Sequence, residues 1–191
     1  MYVINARANL AAILFAFAAP GIGSAYAETQ TFDPNTFKLS TLIECRADDI
    51  GDYYSFVSWL KDRDTRPADM EALGLTATPT DNPMIEEYRL SKPITVFERS
   101  TDRIALTSAG LMGVFDEADP HPLAKQLGVT AALDVPGKFL GERVIKESEH
   151  RAADDPSFVT RYRISLDVST VTSHPRKTLA GCTYRMSMED K

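Results

Sequence analysis

Two short segments combine carboxylates with a histidine, the residue types that bind divalent cations or transfer protons. In the first, Asp116, Glu117, Asp119 and His121 lie close together. Their oxygen donors suit Ca²⁺, but the spacing and the glycine of an EF-hand loop are absent. We therefore interpret the segment as the end of a strand followed by a helix capped by Asp119, and we predict no metal site and no other cofactor.

The second segment places Glu149 beside His150, and a carboxylate next to an imidazole can form an acid/base pair. Adjacent residues of a strand point to opposite faces, so the two side chains are expected to diverge at a charged strand end. The chain also lacks a G-x-S-x-G nucleophile elbow, an H-E-x-x-H zinc motif and a phosphate-binding P-loop. We therefore predict no catalytic residue, and the lack of these motifs favours a protein that is not an enzyme.

Three arginines lie on the polar sides of the last two predicted strands: Arg161, Arg163 and Arg185. If these strands pair, their guanidinium groups can form a cluster that binds a carboxylate or a phosphate. The alternative is a solvated sheet face whose charge is balanced by Asp167 and its neighbours.

An aromatic-rich segment is the strongest functional signal in the sequence. Tyr53, Tyr54, Phe56 and Trp59 lie in one predicted helix, and a single helix stripe cannot bury all of them. Aromatic side chains on an exposed flank are typical anchors of protein interfaces. We therefore predict a partner-binding surface at Tyr53, Phe56 and Trp59; the alternative is a broad helix face buried against the sheet.

The first 27 residues have the pattern of a secretory signal peptide. Arg7 precedes the apolar run 8–19, which is too short to span a bilayer. Pro20 and Gly21 end that run, and Ala25-Tyr26-Ala27 gives the small-residue pattern of a cleavage site. We predict export to the periplasm or secretion, no transmembrane segment, and one globular domain over residues 28–191.

Composition and cysteine content agree with an exported globular domain. Hydrophobic residues make up 43 % of the chain and charged residues 25 %, which excludes a collagen-like or wholly disordered protein. The formal net charge of −6 argues against nucleic acid as a partner. Two cysteines in an oxidising compartment usually pair, so we predict a disulfide between Cys45 and Cys182.

Hydrophobic periodicity predicts an α+β fold with a mainly antiparallel sheet of about six to seven strands, one face of which is covered by two or three helices. Asp48 or Asp49 caps the longest helix, and a further turn is expected at residues 100–102. The predicted strands are about 37–45, 85–90, 94–98, 103–115 (one strand or two), 139–149, 157–169 and 177–188; the predicted helices are about 47–62, 67–73 and one that begins near Asp119 and ends at Gly128.

A short sequence repeat suggests an internal duplication. Leu73-Gly74-Leu75-Thr76-Ala77 recurs as Leu127-Gly128-Val129-Thr130-Ala131, each time after a short helix and before strands. This order resembles that of tandem-repeat secreted inhibitor modules, without shared motif residues. We therefore expect an exported, non-catalytic binding or inhibitor-type module that docks a protein partner, with loops 76–84 and 170–176 as further contacts. The alternatives are an envelope protein that binds a small ligand and a hydrolase with a non-standard site.

Overall fold

The computed structural model describes residues 32–34, 36–62, 67–151 and 157–190 of the chain. The predicted signal peptide lies outside these residues. The elements are α1 (Leu39–Ile43), α2 (Ile50–Lys61), α3 (Pro67–Ala72), β1 (Leu75–Thr78), β2 (Glu86–Val96), β3 (Arg99–Leu106), β4 (Gly110–Phe115), α4 (His121–Leu127), β5 (Thr130–Val135), β6 (Lys138–Arg151), β7 (Phe158–Ser169) and β8 (Thr178–Asp190).

All eight described strands form one antiparallel sheet in the order β1-β2-β3-β4-β8-β7-β6-β5. Each half is a four-strand meander that follows a short helix, and β4 pairs with β8 where the halves meet. The α+β class and the antiparallel sheet are confirmed, and the sheet has more strands than predicted. The extra strands include β1, which lies in a predicted loop, and β5, which has no alternating pattern. The internal duplication stays a prediction.

Helices α1 and α2 pack on one face of the sheet and close the main core. Asp49 caps α2, as predicted, because its Oδ1 accepts a hydrogen bond from the Gly51 amide at 2.6 Å. The buried side chains of this helix are Tyr53, Phe56 and Leu60, which share one helix face. Tyr184 of β8 donates its hydroxyl proton to the Leu42 carbonyl at 2.8 Å and thereby attaches α1 to the centre of the sheet.

The segment 37–45 is not a strand, contrary to expectation. Residues 39–43 form α1, because Leu39, Leu42 and Ile43 also share a helix face and all three are buried. The apolar residues of so short a segment fit both the two-residue period of a strand and the 3.6-residue period of a helix. The segment packs on the sheet as a helix, which buries these side chains. The disulfide between Cys45 and Cys182 is nevertheless confirmed, and its Cα atoms lie 5.1 Å apart. It joins Cys45, two residues after the end of α1, to β8, rather than joining two strands.

The hairpin between β2 and β3 turns at Phe97 and Glu98, not at residues 100–102. Both residues have positive φ, 54° and 62° respectively, as the two central residues of a type I′ turn require. Neither is an Asn or Gly, so the sequence contains no signal for this turn. Tertiary contacts stabilise it instead: the Phe97 amide donates to Glu44 Oε1 at 2.7 Å.

None of the helices in the described ranges is long and apolar enough to cross a membrane.

Candidate functional site

Strands β6, β7 and β8 continue well beyond the rest of the sheet. Strand β5 pairs with β6 only as far as Glu142, and β4 pairs with β8 only as far as Thr183. Beyond these points β7 stays paired with both neighbours: with β6 as far as Arg151 and with β8 as far as Asp190. We call residues 146–151, 158–164 and 184–190 the projecting ribbon. In the described structure this ribbon has a free edge on each side.

One face of the projecting ribbon carries an apolar stripe that continues the main core. Ile164 and Tyr184 are directly opposite each other and are buried under the helices. By strand alternation, the side chains that follow on the same face are Tyr162, Thr160 and Phe158 of β7 and Met186 and Met188 of β8. The polar Thr160 lies between the two aromatic residues of β7. Phe158 is 39 % exposed, Met186 42 % and Met188 59 %. Within the described part of the chain, the apolar face therefore runs from the core to an exposed surface.

Helix α2 borders this stripe on the core side. A groove of about 360 Å³ separates its first turn from the ribbon, and Ile50, Tyr162 and Ile164 line it. Tyr54 projects from the next turn of α2 and is 39 % exposed. Groove and stripe together form a continuous apolar surface that can receive side chains of another polypeptide.

The opposite face of the ribbon is charged and holds the three arginines predicted from the sequence. Arg163 and Arg185 are direct cross-strand partners, and all three arginines line a cleft of about 840 Å³. Carboxylates already surround two of them. Arg161 binds Glu149 and Glu189, each at 2.8 Å, and Arg163 binds Glu142 at 2.9 Å and Glu147 at 3.3 Å.

These ion pairs bear directly on anion binding. Arg151 also binds Glu149, at 3.6 Å, so four guanidinium groups are matched by these four carboxylates and the face has no excess of positive charge for an added anion. Among the described residues, Arg185 makes no ion pair within 4 Å. The anion site at Arg161, Arg163 and Arg185 stays a prediction, and Arg185 is the residue with capacity to meet a further carboxylate.

The aromatic helix differs from expectation. Tyr53 is buried and stacks on Tyr184 at a centroid distance of 4.7 Å. Burial raises the pKa of Tyr53 to about 12. Phe56 is fully buried and stacks on Phe37 at 5.1 Å. Neither residue lies on an exposed flank, because the N-terminal segment and the sheet cover both, so partner binding by this helix stays a prediction for half-buried Trp59.

A buried polar network on the face of the sheet away from α2 was not foreseen. Glu87 of β2 lies 2.6 Å from Arg103 of β3, and its second carboxylate oxygen lies 2.7 Å from His174 Nε2. Burial alone would raise the pKa of Glu87, but the hydrogen bonds from Arg103 and His174 outweigh it and lower that pKa below its ordinary value. His174 comes from the loop between β7 and β8, so the network fastens this loop to the sheet.

The same network places Ser173, His174 and Glu87 in the order of a nucleophile, a base and an acid. Ser173 Oγ lies 3.0 Å from His174 Nδ1. The arrangement fits a structural role better, since His174 is buried and Arg103 already neutralises the carboxylate that would stabilise an imidazolium ion. Ser173 and His174 are adjacent, but Glu87 is 87 residues from His174 along the chain, so no local motif marks the three residues.

The acidic segment after β4 does not act as a unit. Asp116 pairs with Lys177, and Glu117 accepts a hydrogen bond from Arg99 at 2.7 Å. Hydrogen bonds to Asp119 and Asp134 raise the pKa of His121, which lies between these two carboxylates at 2.6 Å and 3.1 Å. Among the described residues, no three His, Cys, Asp or Glu side chains are placed to hold a metal ion.

Fold and site together define an α+β protein whose antiparallel sheet extends into a three-stranded ribbon that no described helix covers. Comparison of the chain with protein-family models, with curated proteins and with solved structures finds no significant match. Functional inference therefore depends on the geometry of the chain itself.

Proposed function

We propose that this chain is an exported, non-catalytic binding protein that docks a protein partner on the apolar face of the projecting ribbon. One observation carries the proposal: the stripe of Phe158, Met186 and Met188 continues the core, and no described residue covers it. Apolar patches of this kind on the surface of a folded protein commonly mark interaction sites.

The chemistry of the stripe suits a polypeptide better than a small ligand. Methionine side chains are flexible and polarizable, so they adapt to the shape of a protein surface. Phe158 and Tyr54 add rigid aromatic area at both ends of the stripe, where they can serve as anchors. The surface is open along its length, whereas small-molecule sites are usually enclosed.

Export is part of the same proposal. The disulfide between Cys45 and Cys182 fits an oxidising compartment, because disulfides persist there and are rare in the cytosol. The pattern of residues 1–27 supports passage through the secretory pathway to the periplasm or the cell exterior. In this setting the chain would act as a binding or inhibitor-type module.

Site-specific photocrosslinking in the native host tests the docking surface. A benzoylphenylalanine placed at Phe158 is expected to crosslink to a polypeptide, whereas the same group at exposed Lys92 is not. Met188→Asp should abolish the crosslink from position 158, because it places a charge in the apolar stripe. Met84→Asp is the matched control, since Met84 is 67 % exposed and lies elsewhere on the surface.

The expected result is loss of the crosslink with Met188→Asp and retention with Met84→Asp, with unchanged circular dichroism for both variants. If position 158 gives no polypeptide crosslink, or if both aspartate variants behave alike, the ribbon is not the docking surface.

A further inference from the structure

The outer edge of β8 carries backbone groups that no described strand satisfies. Beyond Thr183, β8 pairs with β7 alone. The Tyr184 amide donates to the Ala109 carbonyl at 2.6 Å, so the backbone groups of Tyr184 point towards the β4 side. Strand alternation gives Met186 and Met188 the same orientation, and their amide and carbonyl groups therefore face the free edge.

The side chains along this edge have a symmetric order. Met186 and Met188 point to the apolar face, and Ser187 lies between them on the charged face. Arg185 precedes this group and Glu189 follows it, both on the charged face. A strand that pairs here is therefore expected to present apolar residues to the methionines and an acid to Arg185. Glu189 already binds Arg161 within the chain, and a base on the pairing strand would be its second cationic partner.

We propose that the free edge of β8 pairs antiparallel with the same edge of a second copy of this chain, about a two-fold axis at Ser187. In this register Met186 exchanges backbone hydrogen bonds with Met188 of the second copy. Arg185 lies opposite Glu189 of the second copy, in a position where side chains approach closely because the backbone groups of this pair point away from each other. Two such Arg–Glu pairs form per dimer.

Neighbouring symmetric registers lack this complementarity. If Met186 lies opposite Met186 of the second copy, Arg185 faces a serine. Tyr184 then has to pair with the second copy, although its amide already donates to Ala109. If Met188 lies opposite Met188 of the second copy, Glu189 faces a serine and both Arg–Glu pairs are lost. The central register alone gives two opposite-charge pairs and two hydrogen-bonded methionine pairs.

The dimer goes beyond the docking function, because it needs no other protein. It joins two projecting ribbons into one six-stranded sheet and brings both apolar stripes side by side. Five paired residues on each chain are far fewer than the roughly 20–30 residues a side of a standard interface. We therefore expect a reversible dimer whose population rises with protein concentration.

Charge exchange between two variants of the folded chain tests this pairing. Arg185→Glu alone gives two Glu–Glu pairs, and Glu189→Arg alone gives two Arg–Arg pairs, so each variant should dimerise at least about tenfold more weakly than the wild type. An equimolar mixture restores two opposite-charge pairs in the heterodimer. Sedimentation velocity from micromolar to millimolar concentration measures the dimer fraction of the wild type, of each single variant and of the equimolar mixture. Lys92→Glu is the control for a charge reversal elsewhere on the surface.

A second variant reports on the two-fold axis without altering charge. Ser187→Cys places two thiols opposite each other at a Cα separation of about 4.5 Å, a distance that a disulfide can bridge. Oxidation should yield a covalent dimer, whereas Ser58→Cys on the exposed side of α2 should not. The proposal fails if the mixture stays as weakly associated as its components, or if Ser187→Cys gives no more crosslinked dimer than Ser58→Cys. The photocrosslink from position 158 is unaffected by such a failure, so the docking function is tested separately.

Discussion

Replacement of Glu87 by glutamine measures how strongly the buried network fastens the loop of His174 to the sheet. The Glu87 side chain is 4 % exposed and receives short hydrogen bonds from Arg103 and His174. A hydrogen bond to a charged group contributes about 1.5–3 kcal/mol, and breaking a buried ion pair costs about 3–5 kcal/mol. The Arg103 side chain is 25 % exposed, so water solvates part of the stranded charge.

We therefore expect Glu87→Gln to lower the free energy of unfolding at pH 7 by about 2–3 kcal/mol, which lowers the melting temperature of a chain of this size by roughly 5–10 °C. Glu86→Gln is the matched control on the same strand. The Glu86 side chain is 50 % exposed and its ion pair with Lys61 lies at the surface, so its loss should cost less than about 1 kcal/mol. Urea unfolding and differential scanning calorimetry give both values.

The difference in the free energy of unfolding between wild type and Glu87→Gln is expected to decrease at acidic pH. The pKa of Glu87 in the folded chain lies below its ordinary value of 4.5. Stability from its ionised form is therefore complete above pH 4.5 and is lost as the pH falls through the folded pKa. The gap between wild type and Glu87→Gln should narrow below pH 4.5. A loss under about 0.5 kcal/mol at pH 7, or a gap that stays constant on acidification, would refute the role given to this network.

Two further predictions concern the centre of the sheet. Replacing both Cys45 and Cys182 by alanine opens a crosslink with a sequence separation of 137, which should cost about 3–5 kcal/mol in urea unfolding; an unchanged midpoint would show that the crosslink contributes nothing. Gly181→Ala should cost about 3 kcal/mol or more, because the new Cβ would meet the Leu111 carbonyl oxygen and lie 2.6 Å from Met112 Cα. Stability equal to that of the wild type would mean that β4 and β8 can move apart.

The sequence predicted the parts of the fold that depend on long, regular patterns. Alternation is sustained over β7 and β8, and these strands were placed within a few residues. β6 was placed equally well although a register shift between Val144 and Lys146 interrupts its pairing. The cap at Asp49 was found because the pattern before a helix is local. The segment 37–45 was misassigned, because its alternation is too short to distinguish a strand from one turn of helix.

Features that depend on distant contacts had no signal in the sequence. Glu87 and His174 are 87 residues apart, and each alone resembles an ordinary surface residue. The turn at Phe97 and Glu98 has positive φ at two residues that seldom adopt it, and the contact with Glu44 that supports it comes from another part of the chain. Such features follow from the packing of the whole domain, not from propensity.

The surface proposed for docking shows that a correctly read strand pattern does not tell which of its residues are exposed. Alternation is unbroken along β8 from Cys182 through Tyr184 to Met188, and it predicts one apolar face throughout. Burial nevertheless ends at Tyr184, because α1 and α2 reach no further along the strand. The periodicity of a strand records which side chains share a face, but the length of the covering layer decides which of them meet solvent. Tyr53 and Phe56 of α2 were predicted to lie on an exposed flank and are buried, whereas Met186 and Met188 of β8 extend past the covering helices and are exposed.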